Sequence, residues 1–328
     1  MLGRLVRELP AGEFAYEPKW DGFRCLVFRD GERIDFRSRN DRPLARYFPE
    51  LVGALAKLEH DRLVLDSEIL VPVGGGYNFA ALMARLHPAA SRVERLSSLT
   101  PANLIAFDAL AIDGRDLRQE PFAQRRALLE RSLTPESALV RLTPSTPDAD
   151  TARGWLHGRH AGVDGVMAKQ CSLPYREGER AMLKVKLERT LESVVAGFRL
   201  LADRPLPSSL LLALYDEEEV LQHIGIAGSF SERLRRELLE ELEPLVVPLS
   251  GHPWERGFLL GGSPVGRLKG AAGRWAPEEM SLDWIPVAPV RVVEVSYDHI
   301  DARRLRHPAR FRRWRPDRDP RSCTFAQT

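Results

Sequence analysis

A lysine, an acid, a glycine and an arginine stand close together near the start of the chain. The stretch Glu17-Pro18-Lys19-Trp20-Asp21-Gly22-Phe23-Arg24 follows the strand-like run Phe14–Tyr16 and leads into a second one, Phe23–Phe28. We expect Lys19 on the turn that joins these two runs. Gly22 can adopt backbone angles closed to other residues, so the chain could pass close to a bound ligand there. The alternative is a cluster of exposed charged residues on a hairpin, which is where such residues usually lie.

The rarity of lysine favours a chemical role for Lys19. Lysine and arginine together number 48, and lysine stands only at positions 19, 57, 169, 184, 186 and 269, which leaves 42 arginines. This chain therefore uses arginine wherever a general positive charge is sufficient. The lysines that remain are expected where an amine or a compact point charge is required.

One carboxylate interrupts an apolar strand. Residues Leu63–Leu70 have the composition of a strand, and Glu68 lies inside this run. An unpaired carboxylate in such a place would be costly. Glu68 therefore needs a partner, which is either a ribose hydroxyl, a metal ion or an arginine, and a salt bridge in the core is the structural alternative.

Two lysines follow a second acidic site later in the chain. The run Gly162–Lys169 contains Asp164 and leads into Leu183-Lys184-Val185-Lys186. Residues two apart on a strand point to one face, so Lys184 and Lys186 are expected side by side. Like charges in that arrangement are destabilising unless an anion lies between them, and a triphosphate is such an anion.

Together these segments resemble the ATP-dependent DNA ligases, in the form of the small bacterial ligase C group. Lys19-Trp20-Asp21-Gly22-Phe23-Arg24 resembles the family's nucleotidyl-transfer motif Lys-x-Asp-Gly-x-Arg, which RNA ligases and capping enzymes share. Asp66-Ser67-Glu68 takes the place of the usual Asp-Gly-Glu. Asp164-Gly165 and Lys184-x-Lys186 resemble the fourth and fifth motifs, with Asp164 where many members have glutamate.

The resemblance extends to three further segments. Ser38-Arg39 is similar to a Ser-Arg pair whose arginine faces the nucleotide or the nick phosphate. Phe107-Asp108 is similar to the motif whose aromatic ring stacks on the purine. Arg315-Pro316-Asp317-Arg318 resembles the last motif, Arg-x-Asp-Lys, with Arg318 in place of lysine.

The resemblance implies a three-step reaction. Lys19 would take AMP from ATP, the AMP would pass to the 5′-phosphate at a nick, and the 3′-hydroxyl would then displace it. The implied ATP-binding residues are Glu17, Arg24, Arg39, Glu68, Phe107, Met167, Lys184, Lys186 and Arg318. Glu68 and Asp164 would hold Mg²⁺ or Mn²⁺, and Phe107 and Met167 would enclose the adenine.

The expected fold class is α+β with two domains. A mixed α/β nucleotidyltransferase (adenylation) domain is expected at residues 1–188 and an OB-fold β-barrel domain that binds DNA at 189–328. The second expectation rests on short strands and on the basic segment Arg303–Arg321. The strands are predicted at Val194–Phe198, Leu210–Tyr215, Val220–Ile226 and Val290–Tyr297.

Composition limits where and with what this protein works. No apolar run approaches the ~20 residues of a membrane span, and the three cysteines, at 25, 171 and 323, indicate neither a zinc site nor a disulfide framework. These features favour a reducing cytoplasm, and the resemblance implies a monomer, associated with the nucleoid, that acts on nicked double-stranded DNA in repair. An RNA ligase, a capping-type nucleotidyltransferase that uses GTP, and a non-catalytic OB-type DNA-binding protein are the alternatives.

Overall fold

The chain divides after Leu187 into a first unit, Met1–Leu187, and a second unit, Glu188–Thr328. The computed structural model describes residues 1–86, 89–133, 137–158, 162–255, 284–301 and 303–328. Among the helices in these ranges, none combines the length and the apolar character that crossing a bilayer requires.

The first unit is built on two β-sheets, a smaller one of order β1-β12-β11-β2 and a larger one of order β10-β8-β5-β3-β4 with β9 paired to β8; β6 pairs with β7. The strands are β1 (Gly3–Val6), β2 (Phe14–Trp20), β3 (Phe23–Asp30), β4 (Arg33–Ser38), β5 (Arg62–Leu70), β6 (Pro72–Val73), β7 (Gly76–Tyr77), β8 (Asn103–Ile112), β9 (Arg115–Asp116), β10 (Val140–Leu142), β11 (Val163–Gln170) and β12 (Met182–Val185). The helices are α1 (Pro49–Leu55), α2 (Phe79–Arg85), α3 (Ala90–Leu99), α4 (Phe122–Ser132) and α5 (Ala149–His157), with a 3₁₀ turn at Ala45–Tyr47.

Alternation along β3 explains why the larger sheet has one core face and one functional face. Cys25 and Val27 are fully buried among the apolar side chains of the main core. Arg24 and Leu26 point to the opposite face because successive side chains in a strand alternate. The segment that carries Arg24 is thus anchored by its buried neighbours.

The connection between the two sheets differs from the sequence prediction. Lys19 lies on β2, not on a turn, and only Asp21 and Gly22 separate β2 from β3. A Cβ atom on Gly22 would lie 2.3 Å from the carbonyl oxygen of Ile69. Glycine is therefore required because the chain passes close to β5, and not for a positive φ angle.

The second unit contains a closed barrel of strand order β13-β14-β15-β19-β16. The barrel strands are β13 (Arg189–Leu200), β14 (Pro207–Tyr215), β15 (Leu221–Gly228), β16 (Ile285–Tyr297) and β19 (Ala309–Trp314). Two short strands outside the barrel, β17 (Ile300–Asp301) and β18 (Arg304–Leu305), pair with each other. Helix α6 spans Glu232–Leu242, and 3₁₀ turns lie at Glu243–Leu245, Pro320–Ser322 and Phe325–Gln327. Ser231 caps α6 by accepting a hydrogen bond from the Leu234 N–H at 3.3 Å.

The four strands predicted in this unit are confirmed: three lie within longer observed strands, and Val220–Ile226 matches β15 from Leu221 onward. The strand that closes the barrel, β19, comes from the basic tail and was not predicted. It runs parallel to β15 and antiparallel to β16, with Val293 opposite Trp314 and Val295 opposite Phe311.

Candidate functional site

A row of three side chains crosses the smaller sheet of the first unit. Met167 on β11 stands opposite Glu17 on β2 and opposite Lys184 on β12. Residues two apart share a face, so Lys19 lies beside Glu17, and Lys169 beside Met167, on this same side. Gly3 on β1 lies close to two of these side chains, because a Cβ at that position would be 3.2 Å from Met167 Cε and 3.3 Å from Lys184 Cδ.

Asp164 joins two of the predicted lysines. Its Oδ2 atom lies 2.7 Å from Nζ of Lys19 and 2.7 Å from Nζ of Lys186. About a fifth of each of these side chains is exposed, 23% for Asp164, 22% for Lys19 and 20% for Lys186. Burial alone would raise the pKa of Asp164, but the Lys19 charge and the hydrogen bonds from both amines outweigh it and lower the pKa.

A backbone irregularity at Gly165 helps to place Asp164. The pairing of β11 with β2 shifts register between Val163 and Val166, which indicates a β-bulge. Gly165 has φ of +138°, and a Cβ there would lie 2.2 Å from the Val185 carbonyl oxygen. Only glycine fits this position, so the Asp-Gly pair is explained by the bulge that carries the carboxylate.

Glu68 lies next to the same lysine. Its Oε1 accepts a hydrogen bond from the Gly22 N–H at 3.1 Å. Burial raises the pKa of Glu68 to about 8, although the positive charge of Lys19 works in the opposite direction. The partner that the sequence required for this acid is thus a backbone amide, with Lys19 close by.

Arg24 is held by an acid on the neighbouring strand. Its Nε and Nη2 donate to the two carboxylate oxygens of Asp66 at 2.9 and 2.6 Å. Tyr175 donates to the same carboxylate at 2.9 Å. Burial opposes the charge on Arg24, but the Asp66 hydrogen bonds raise its pKa overall. The guanidinium is therefore fixed in a forked ion pair.

Glu17 and Phe107 meet through Lys169. The Nζ atom of Lys169 lies 2.7 Å from Glu17 Oε2, donates to the Phe107 carbonyl at 2.9 Å and lies 4.6 Å from the centre of the Phe107 ring. Glu17 is buried, and Arg126 stands 3.5 Å from its other oxygen. Burial raises the pKa of Glu17, while the charges of Lys169 and Arg126 counteract the rise.

Arg39 is not gathered around Lys19. It is exposed beyond the end of β4 and lines a cavity of about 690 Å³, which Arg24, Leu26 and Arg37 also line. The cavity therefore extends from the Arg24 ion pair to the turn where Arg39 stands.

Arg318 belongs to a separate cluster in the second unit. Its Nε lies 2.6 Å from Oε2 of Glu192. The other oxygen of Glu192 pairs with Nη1 of Arg315, whose Nε and Nη2 donate to Asp317 at 2.9 and 2.7 Å. The last predicted motif thus forms one charged network anchored on Glu192.

Sequence reasoning gave no role to several residues that hold the site. Asp66 and Asp108 are acids inside apolar strands, and the reasoning that selected Glu68 applies equally to them. Asp66 holds Arg24, and Asp108 accepts two hydrogen bonds from Arg125 at 2.8 and 2.9 Å. Tyr175 lies in a loop, where no local pattern marks it. Glu192 lies on β13, and only the register of the barrel brings it to Arg315 and Arg318.

Family models match both units. The model described as "ATP dependent DNA ligase domain" matches residues 2–186. The model described as "ATP dependent DNA ligase C terminal region" matches residues 203–318.

Curated proteins are similar over the whole chain. DNA ligase C2 of Mycolicibacterium smegmatis is 47% identical over 330 residues, which cover all of this chain and 93% of the relative. DNA ligase C of Mycobacterium tuberculosis is 45% identical over 334 residues, which cover all of this chain and 92% of the relative. A solved structure from a study of Lig E DNA ligases is 16% identical, with a TM-score of 0.58 over 96% of this chain and all of that one, and it shows a shared fold.

Proposed function

This chain belongs to the ATP-dependent DNA ligase family, and we propose that Lys19 is the residue that carries AMP between ATP and the nick. The protein is an ATP-dependent DNA ligase that acts on nicked DNA with ATP and a divalent metal. The observation that carries the proposal is the position of Lys19 Nζ, 2.7 Å from a carboxylate oxygen that also contacts Lys186. This arrangement fixes the amine where a second cation can attract phosphate oxygens.

The first step requires a neutral amine and an aligned phosphorus. Once Nζ of Lys19 has lost a proton, its lone pair attacks the α-phosphorus of ATP. A nitrogen–phosphorus bond forms while the bond from that phosphorus to the bridging oxygen breaks, and pyrophosphate leaves with the electron pair. Lys186 and Lys184 then stabilise negative charge on the phosphoryl oxygens.

The nucleotide pocket follows from the two sheets of the first unit. Phe107 and Met167 are partly buried, and they supply an aromatic ring and a flexible thioether for the two faces of adenine. Glu17 lies beside them, toward the purine edge. Arg24 and Glu68 serve the ribose side, with Arg24 kept in orientation by Asp66.

Glu68 and Asp164 are the residues that would hold the divalent ion. Both carboxylates interact with the same amine, that of Lys19, so they lie at one site. Mg²⁺ is typically held by one or two carboxylates together with substrate phosphates and water, and this pair of acids fits that requirement. When bound, the ion supplies positive charge at the transferring phosphoryl group.

The second unit is proposed to be an OB-type domain that contacts DNA and assists the first step. Support comes from its closed five-stranded barrel and from the arginines of the basic tail. We assign residues 1–188 to adenylation and 189–328 to this domain, with Arg318 orienting the β- and γ-phosphates and Arg39 meeting the nick phosphate. A monomeric enzyme working in DNA repair is part of the same proposal.

Labelling with α-³²P-ATP tests the assignment of Lys19. The protein is incubated with labelled ATP and Mg²⁺ and separated by denaturing electrophoresis. Lys19→Arg keeps the charge but lacks the nucleophile, so label should disappear. Lys57→Arg is the matched control, because Lys57 is exposed on the surface of the same unit, and it should label like the parent.

Three outcomes count against the proposal. Undiminished label on Lys19→Arg would show that another residue carries AMP. Labelling by GTP in preference to ATP would favour the capping-type alternative, and sealing of nicked RNA in preference to nicked DNA would favour an RNA ligase.

A further inference from the structure

The two arginines of the C-terminal network differ in how many acceptors they have. Arg315 contacts Glu192, Asp317 and Glu294, and 18% of its side chain is exposed. Arg318 contacts Glu192 through Nε, and 38% of its side chain is exposed. Within the residues that the structure describes, the Nε of Arg318 has no partner in hydrogen-bond geometry, so its contact with Glu192 is an ion pair.

Glu192 itself is firmly placed. Its backbone N–H donates to Gln327 Oε1 at 3.3 Å, and Gln327 Nε2 donates to its carbonyl at 3.2 Å. Its side chain is only 18% exposed and forms an ion pair with Arg315 through one oxygen and with Arg318 through the other. A carboxylate held in this way constrains both guanidinium groups.

The strand register of the barrel explains why several arginines lie close to Glu192. Glu192 on β13 stands directly opposite Glu294 on β16. Like charges directly opposite each other destabilise a sheet unless cations compensate. Arg315 contacts both acids and Arg313 pairs with Glu294 at 2.8 Å, so the acids are already compensated without Arg318.

We propose that Glu192 is a positioning residue that holds the guanidinium of Arg318 through a close ion pair and so presents it to the β- and γ-phosphates of ATP. The proposal rests on the proposed role of Arg318 in self-adenylation. A guanidinium offers two parallel donors to phosphate, and this geometry is useful only when the plane of the group is fixed. Arg315, whose nitrogens are engaged by acids, supports Glu192.

A double-mutant cycle on Glu192 and Arg318 tests the proposal. Self-adenylation is followed with labelled ATP over a range of ATP concentrations, and sealing is followed separately on a nick that already carries AMP. Glu192→Ala should raise KM for ATP or lower the adenylation rate by about tenfold, the effect of losing one close ion pair that orients the guanidinium. Glu192→Gln keeps the size of the side chain but not its charge, so it should lose nearly as much as Glu192→Ala.

Repeating the Glu192 substitution in the Arg318→Ala background makes the test specific. In Arg318→Ala, adding Glu192→Ala should cause no further loss of self-adenylation, because there is no guanidinium left to orient. Sealing of the pre-adenylated nick should stay within about twofold of the parent in all Glu192 variants. Glu188→Ala is the matched control, since Glu188 is an exposed acid of the same unit that pairs with Arg312 at 3.0 Å.

Each remaining outcome has a defined meaning. Equal losses in both assays, or a further loss in the Arg318→Ala background, would mean that Glu192 supports the barrel only and would overturn the proposal. Unchanged self-adenylation in Glu192→Ala, with strong loss in Arg318→Ala, would overturn it while leaving the role of Arg318 intact. If Arg318→Ala itself adenylates normally, the proposed function of Arg318 fails first, and the positioning role of Glu192 fails with it.

Discussion

The charged cluster around Lys19 in the first unit and the cluster around Arg318 in the second differ in how far apart their residues lie along the chain. Lys19 and Asp164 are 145 residues apart and meet because β2 pairs with β11. Arg315, Asp317 and Arg318 are close neighbours in the chain, and the Arg318 N–H donates to the Arg315 carbonyl at 3.2 Å. The first cluster is joined across a sheet, whereas the second combines a short turn with Glu192, which the register of the barrel brings to it.

The difference suggests a division of labour. Lys19 shares its carboxylate with Lys186 and is mostly buried, which suits a group that must form a covalent bond in one defined position. Arg318 is more exposed and depends on one acid, which suits a group that engages phosphates for part of the reaction and then releases them.

The largest expected effect tests the cluster around Lys19. Asp164→Ala leaves the amines of Lys19 and Lys186 without their shared carboxylate, so self-adenylation should fall on the order of 10²- to 10³-fold. Asp164→Asn, which keeps an oxygen acceptor, should lose less, and higher Mg²⁺ should restore part of its activity.

Label transfer from ATP measures this effect. Asp150→Ala is the control, because Asp150 is an exposed acid that pairs with Arg153 on helix α5 of the same unit. Normal adenylation by Asp164→Ala would mean that the bridge between the two lysines is only structural.

The next largest effect tests the cluster around Arg318. Arg318→Ala should slow self-adenylation about 100-fold and should slow sealing of a pre-adenylated nick much less, because no pyrophosphate remains to be oriented. Arg321→Ala removes another exposed arginine of the same tail, which lies 3.8 Å from Glu219, and serves as the control. If Arg318→Ala loses both steps equally and low salt restores sealing, Arg318 is a DNA-contacting arginine instead.

A substitution at Gly165 tests whether the first cluster depends on its backbone. Gly165→Ala combines a disfavoured positive φ with a Cβ 2.2 Å from the Val185 carbonyl oxygen, so the first unit should lose about 2–3 kcal/mol of stability, and adenylation should fall with it. Gly154→Ala is the contrasting control, because that glycine lies in α5 with open space around it and should gain up to about 1 kcal/mol. Thermal unfolding of both variants compares them, and equal stability would contradict the explanation of the bulge.

The smallest effect concerns the barrel of the second unit and its response to acid. Burial, together with the charges of Arg304 and Arg199, lowers the pKa of His223 from its ordinary value of 6.5 to about 3. Between these values the unfolded chain binds a proton that the folded barrel does not. The stability of the barrel should therefore fall as pH drops from 6.5 toward 3, by up to about 1.4 kcal/mol per pH unit.

Hydrogen exchange of the β14 and β15 amides at pH 7 and pH 5 measures this contribution. His223→Gln should reduce the difference between the two pH values by about 2 kcal/mol, whereas His307→Gln, at an exposed position, should not change it. An unchanged difference in His223→Gln would mean that His223 titrates alike in the folded and unfolded states.

Local sequence predicted the strand-like run Phe23–Phe28, which is part of β3, and the strand that carries Glu68. These features depend on apolar composition and on the cost of burying charge, whereas the prediction that Asp164 and Lys186 act together with Lys19 came from the family resemblance. The sequence did not predict that Lys19 lies on β2, because Pro18 lacks an N–H for strand pairing and Asp21-Gly22 signals a turn. It did not predict that β19 closes the barrel or that Glu192 meets Arg318, because strand register over more than a hundred residues is set by the packing of the whole unit.

Locating the AMP on the unmodified protein tests the central claim most directly. The protein is incubated with ATP and Mg²⁺ without DNA, digested at neutral pH to preserve a phosphoramidate, and its peptides are sequenced by mass spectrometry. The account predicts one AMP, attached to the side-chain nitrogen of Lys19. AMP on Lys184, Lys186 or any other residue, with Lys19 unmodified, would contradict it.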